Sequence, residues 1–248
     1  SEAALNPRVD SFQFITSAGA WDPSGRRLAH AILERGRPTL VISDVRRGSV
    51  EKEIPLPEVA EIYNPTWSPD GRRIAFSGLA GGMTDLYVYE IEKRELTRLT
   101  QDPFGDLQPA WSPDGRQIVF VTDRFSSDLN ALRFGNFRLG LIDPATKAIE
   151  ALPTFEYAKN INPQWSSDGR SVFFISDRDG VSNIYRLDRN TGQLHQVTDL
   201  VTGVSGITAL SPALSSASAA PRLTFTAYQE DRYAIYSLDD ATQLAAAA

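Results

Sequence analysis

The decapeptide Trp67-Ser68-Pro69-Asp70-Gly71-Arg72-Arg73-Ile74-Ala75-Phe76 recurs in close copies at 111–120 and 165–174, and a looser copy begins at Trp21. All four tryptophans thus hold one position of one repeat. Such a chain is constrained to fold as a series of similar units, each burying its apolar face against a neighbour. The tryptophans lie 46, 44 and 54 residues apart. A fifth unit lacks its tryptophan: Ser211-Pro212-Ala213-Leu214 precedes Arg222-Leu223-Thr224-Phe225, which puts Leu214 in the indole's place 49 residues after Trp165.

Each unit reads as four short strands. In the second unit the first strand ends at Trp67, the second covers 73–77, the third 86–91 and the fourth 96–100. Period-two alternation and richness in aromatic and β-branched residues favour strands, and no segment carries a 3.6-residue pattern. The third strand recurs at 40–45, 139–142, 184–187 and 234–238. Ser-Pro-Asp-Gly supplies the reversal between first and second strands, with proline presetting φ, aspartate bonding nearby backbone and glycine taking positive φ. The expected fold is therefore an all-β propeller of four-stranded antiparallel blades, five in number, with membership of a six-bladed ring as the alternative. One domain spans 1–248, with units near 17–60, 61–104, 105–158, 159–208 and 209–244. Residues 9–16, apolar at Phe12, Phe14 and Ile15, are expected to close the ring as the fifth unit's missing fourth strand.

The tryptophans are expected to pack between blades. The arginines that follow each turn glycine, Arg26, Arg72, Arg116 and Arg170, are expected to bond carboxylates or carbonyls of neighbouring units.

These copies, followed by strands such as Asp85-Leu86-Tyr87-Val88-Tyr89 and, in the second unit, by Leu96-Thr97-Arg98-Leu99-Thr100, resemble the WD40-like repeats of TolB-type β-propellers. The resemblance covers all five units. The run 202–215 is similar in flavour to propellers of large bacterial envelope or surface proteins. TolB itself has six blades and a further α/β domain, which this chain does not show. The resemblance implies a periplasmic or envelope-associated location. It also implies a role as a non-catalytic scaffold binding a ligand, another protein or a neighbouring domain of the same chain. The alternative it carries is a regulatory or gating propeller of a peptidase whose catalytic domain lies elsewhere.

Composition narrows the chemistry. With no cysteine, thiolate metal sites and a cysteine nucleophile are excluded. A net charge of −6 without a basic tract argues against nucleic acid. No apolar run approaches the roughly 18 residues of a membrane span, so direct membrane insertion is not expected. Ser1 is not a usual first residue, and the chain is expected to be a piece of a longer one.

Catalytic constellations are sparse. The only histidines, His30 and His195, fall in different units, and Gly203-Val204-Ser205-Gly206 is not a nucleophile elbow. Asp177-Arg178-Asp179-Gly180 departs from a calcium loop in its glycine position. No enzyme activity and no cofactor are expected.

Function is sought in the connections where units differ: 55–64, 101–108, 153–162, 199–210 and the insertion 122–136. The candidate binding residues there are Tyr63, Asn64, Phe104, Asp106, Gln108, Phe125, Phe134, Phe155, Tyr157, Asn160 and Asn162. Asn64, Gln108, Asn162 and Ser211 stand three residues before the tryptophan position. There they could line the mouth of the central channel and hold water or a cation, or simply cap strand ends.

Overall fold

The computed structural model describes residues 9–12, 17–239 and 246–247. Every helix or strand among them is a strand, and the strands form five separate antiparallel sheets in chain order, the blades of a β-propeller. The chain divides into two compact units, Ser1–Pro109 and Ala110–Ala248.

In the first unit, the first blade comprises β1 (Val9–Phe12), β2 (Ala20–Trp21), β3 (Arg27–Glu34), β4 (Arg37–Asp44) and β5 (Ser49–Pro55). Its innermost strand is laid along β3 in two pieces, Phe12 facing Ile32 and Ala20 facing Ala29. Residues 9–12 therefore pair within the first blade and not as a closing strand of the fifth. The reason is the length of β3, whose far half would otherwise leave backbone groups unpaired beyond the two residues of β2. The rest of the expected closing strand, 13–16, lies outside the described residues.

The second blade is β6 (Glu61–Trp67), β7 (Arg73–Ala80), β8 (Met83–Glu90) and β9 (Glu95–Arg98). Ile62, Trp67, Ile74, Phe76, Tyr87 and Tyr89 form one core with Leu40 and Ile42 of the first blade. From Ile74 to Gly78 every residue of β7 is buried. Both faces of this middle strand are covered, so alternation there is one of size. At Gly78 a Cβ would come within 2.8 Å of Val59 and the Tyr87 ring, which only glycine allows.

The third blade starts with β10 (Asp106–Trp111) and continues with β11 (Ile118–Thr122), β12 (Arg138–Ile142) and β13 (Ile149–Ala151). The fourth contains β14 (Asn160–Trp165), β15 (Ser171–Ser176), β16 (Asn183–Asp188) and β17 (Leu194–Gln196). The fifth has three strands among the described residues: β18 (Leu214–Ser216), β19 (Arg222–Gln229) and β20 (Arg232–Asp239). A short β21 (Ala246–Ala247) pairs with β17.

The turn motif closes as its chemistry dictates. The Ser68 hydroxyl accepts the Arg73 N–H at 2.9 Å and donates to Asp70, the Gly71 N–H returns to the Ser68 carbonyl, and Gly71 takes φ of 68°. Ser112 and Ser166 build the same turn. In the first blade Asp22 replaces the serine and accepts the N–H groups of Arg26 and Arg27 at 2.9 and 2.8 Å.

Trp67, Trp111 and Trp165 are buried as expected. The arginines behave differently from expectation. Arg26 pairs with Asp44 and Arg170 with Asp168, each within its own blade, because the nearest carboxylate stands on the same turn or the adjoining strand. The next residue, Arg27, reaches across instead, its guanidinium 3.5 Å from the Gly71 carbonyl and 4.6 Å above the Trp67 ring.

Candidate interaction surface

The loop candidates separate into groups with different work. Asn162 is a clamp. It adopts φ of 53° at a register shift in β14, which turns its side chain onto the next blade. There its Oδ1 accepts the N–H groups of Ala213 and Leu214 at 2.7 and 2.8 Å, and its Nδ2 donates to the Leu214 carbonyl at 3.2 Å. Asn64 and Gln108 share the left-handed conformation, each with φ of 49°. The Asn64 N–H is taken by the Ser17 hydroxyl of the first blade at 2.8 Å. Ser211 is buried, with its hydroxyl accepting the Thr208 N–H. For Asn162, strand-end capping is what the structure shows: its oxygen points at backbone donors.

Asn160 and Asp106 are fully buried at the starts of β14 and β10. The Asn160 amide group lies 2.8 to 3.0 Å from the carbonyls of Phe137, Phe155 and Ala158. It thereby joins the end of the 122–136 insertion to the loop before β14. Phe155 is half-buried, edge-on to Tyr185 at 4.7 Å and under the Arg178 guanidinium at 4.8 Å. Burial, aided by the neighbouring Asp179 carboxylate, pushes the Tyr185 phenol up to about 12. Tyr63 donates to Glu61, and Phe104 is half-buried beside Asp102.

Of the candidates, those left exposed lie in the insertion and the adjoining loop, while Val201, Ile207 and Ile235 are exposed elsewhere. Phe134 is 84% exposed and Tyr157 92%, while Phe125 lies at the edge of exposure. The structure adds Leu132, 83% exposed, and Leu129, neither of which is aromatic. The insertion is a built object. Asp128 and Arg133 exchange both backbone hydrogen bonds at 2.8 and 2.9 Å, and their side chains form an ion pair at 3.2 Å. The Ser127 hydroxyl donates to Asp123 and accepts the Gly135 N–H, and the Ser126 hydroxyl donates to the Asn136 carbonyl. Gly135 rests so closely on Ser126 that a Cβ would fall 2.3 Å from its backbone. Apolar side chains are thus held outward on a frame whose polar groups are satisfied internally.

A concavity of about 420 Å³ opens at the turns of the first two blades and is lined by Asp22, Arg26, Arg27, Glu51, Asp70 and Gly71 among others. Arg27 is paired with Asp22 and Arg26 with Asp44, so its cations are already engaged. His30 lies on β3, where burial lowers its pKa, and His195 lies on β17. Among the described residues, no group of three or more His, Cys, Asp or Glu side chains could hold a metal ion, and no helix is long and apolar enough to cross a membrane.

Residues 6–128 match the family model described as the TolB beta propeller domain. A stretch of 48 residues, 19% of this chain and 7% of the relative, is 40% identical to the "Uncharacterized peptidase YuxL" of Bacillus subtilis (strain 168). Among solved structures, TolB from Acinetobacter baumannii is similar with a TM-score of 0.68 and 19% identity, over 92% of this chain and 52% of that one. Puromycin hydrolase is similar with a TM-score of 0.68 and 20% identity, over 93% of this chain and 36% of that one. The chain therefore spans about half of one of these structures and about a third of the other. At such identities the likeness is one of fold.

Proposed function

Since the chain is a TolB-type β-propeller, we propose that it works as a non-catalytic scaffold that binds a protein partner through the 122–136 insertion. The observation that carries this is the hydrogen-bonded frame presenting Leu132 and Phe134 to solvent. Ordered apolar side chains lose little entropy on binding, and rigid aromatic anchors dominate interface energetics. The partner is another protein or a neighbouring domain of the same polypeptide, and the compartment, by the TolB resemblance, is the cell envelope.

A photo-crosslinking residue at position 134 tests the reading. Adducts should map to one patch of one partner and be lost when Leu132→Asp is added. Adducts equal to those from a control position such as Arg116, or indifferent to Leu132→Asp, would overturn it.

A second reading, a propeller that gates a hydrolase domain of the same polypeptide, is favoured by the similarity to the Bacillus subtilis peptidase and to puromycin hydrolase. It predicts that the crosslink forms within one polypeptide.

A further inference from the structure

A row of directly opposed residues crosses each of the first four blades from its second strand to its fourth. In the first three blades the middle member is Ile42, Val88 or Leu141, all buried, opposite Ala29, Ala75 and Val119 of the strand before. In the fourth blade it is Arg186, opposite Phe173, and the row continues to His195 on β17. A cation stands where the other blades have an aliphatic residue. The Arg186 Nε and the His195 Nδ1 are buried, and among the described residues neither has a hydrogen-bond partner. The carboxylate nearest in sequence, Asp188, accepts the N–H groups of Asn190 and Thr191 at 2.8 and 3.0 Å instead. Buried donors are ordinarily matched with acceptors. This row is short of one.

The same blade carries an added strand. β21 lies antiparallel along β17, with Ala247 opposite His195 and Ala246 opposite Gln196, a strand position that the second and third blades lack among the described residues. Alanine is a weak strand former with almost nothing to pack. What holds this pair is the backbone along the outer edge of β17, the kind of edge that accepts a partner's strand in β-augmentation. Residues directly opposite in a ladder share a face, so the position facing His195 lies at the end of the row that lacks an acceptor.

We propose that the outer edge of the fourth blade, Leu194–Gln196, is a strand-addition site for an extended segment of a partner protein that sets an aspartate or glutamate opposite His195. Charge complementarity selects the occupant: its backbone takes the β17 ladder, and its carboxylate meets the Arg186 guanidinium and the His195 ring. Ala246–Ala247 supplies the ladder without the carboxylate, which leaves it displaceable. This edge belongs to a different blade from the insertion, so either assignment can fail without the other.

The probe is a fluorescently labelled peptide, Thr-Val-Thr-Glu-Val-Thr with blocked ends, titrated by anisotropy against residues 1–248, with the glutamine peptide as control. The glutamate peptide should bind several-fold tighter than the glutamine one. It should bind tighter still to the double variant Ala246→Pro, Ala247→Pro, whose own strand cannot pair, and there it should slow hydrogen exchange at 194–196. Arg186→Gln should erase the preference for glutamate and leave the glutamine peptide's affinity in place. Equal affinities of the two peptides for the unaltered chain would overturn the proposal, as would no binding of either. Binding that the prolines leave unchanged, or that gives β17 no protection, would place the peptide elsewhere and overturn it too. A variant that keeps the arginine covers the case in which Arg186→Gln fails to fold: Ala247→Glu should raise the thermal midpoint above that of Ala247→Gln, and equal midpoints would count against a carboxylate at this place.

Discussion

A left-handed backbone at a residue other than glycine costs on the order of 1–3 kcal/mol, and the chain adopts it at equivalent places in three blades, at Asn64, Gln108 and Asn162. At Asn162 the return is three hydrogen bonds to the following blade. Asparagine suits the position because its short amide tolerates this conformation better than most side chains. Asn162→Gly should keep the backbone and lose the bonds, while Asn162→Ala loses both. Urea unfolding is expected to show each variant destabilised by about 2–4 kcal/mol, with alanine about 1 kcal/mol worse than glycine. Asp22 offers a test by titration. Burial alone would raise its pKa, but the Arg27 N–H, the Ser24 hydroxyl, the Arg27 guanidinium and the Arg26 N–H together hold it at about 2. Its stabilising effect, roughly 2 kcal/mol, is complete above the ordinary aspartate value near pH 4 and disappears as pH falls to about 2. Asp22→Asn should flatten the fall of unfolding free energy between pH 4 and 2, and an unchanged slope would show that Asp22 does not titrate there.

At the scale of elements, Asn160 joins two connections that sequence leaves unrelated. Replacing it by alanine strands the carbonyls of Phe137, Phe155 and Ala158, at a cost of about 1–3 kcal/mol. Hydrogen exchange in 123–136 should accelerate in Asn160→Ala while β15 and β16 keep their protection. The Ser-Pro-Asp-Gly turn was legible in sequence because its hydrogen bonds close within six residues. Asn160 was legible only as a polar residue in a variable loop, since its three acceptors come together after folding. Phe155 reads in sequence as a free loop aromatic for the related reason that Tyr185 and Arg178 come around it only on folding. Leu132 gives no signal in sequence, because an isolated leucine in a polar loop carries no periodicity.

For the molecule as a whole, repetition made the architecture readable: four tryptophans in register mark the units, and Leu214 marks the fifth. The same regularity hides what is particular to a copy. Trp21 matches its sisters in sequence, yet it is 54% exposed where Trp67, Trp111 and Trp165 are buried, a difference that no residue of the motif announces. The insertion differs in length and stands out for that reason. Replacing 124–136 by a two-residue Gly-Gly turn, as Gly81-Gly82 joins β7 to β8, should shift the thermal midpoint by no more than a few degrees. A loss on the scale of a broken core would show that the blade depends on the segment.

The internal closure of that insertion has a consequence for descent. Because Asp128 and Arg133 pair with each other, and Ser126 and Ser127 bond to Asp123, Gly135 and Asn136 within the same segment, changes at Leu129, Leu132 and Phe134 carry little penalty elsewhere. Sequence drift can therefore alter what this one cassette displays without disturbing the blades beneath.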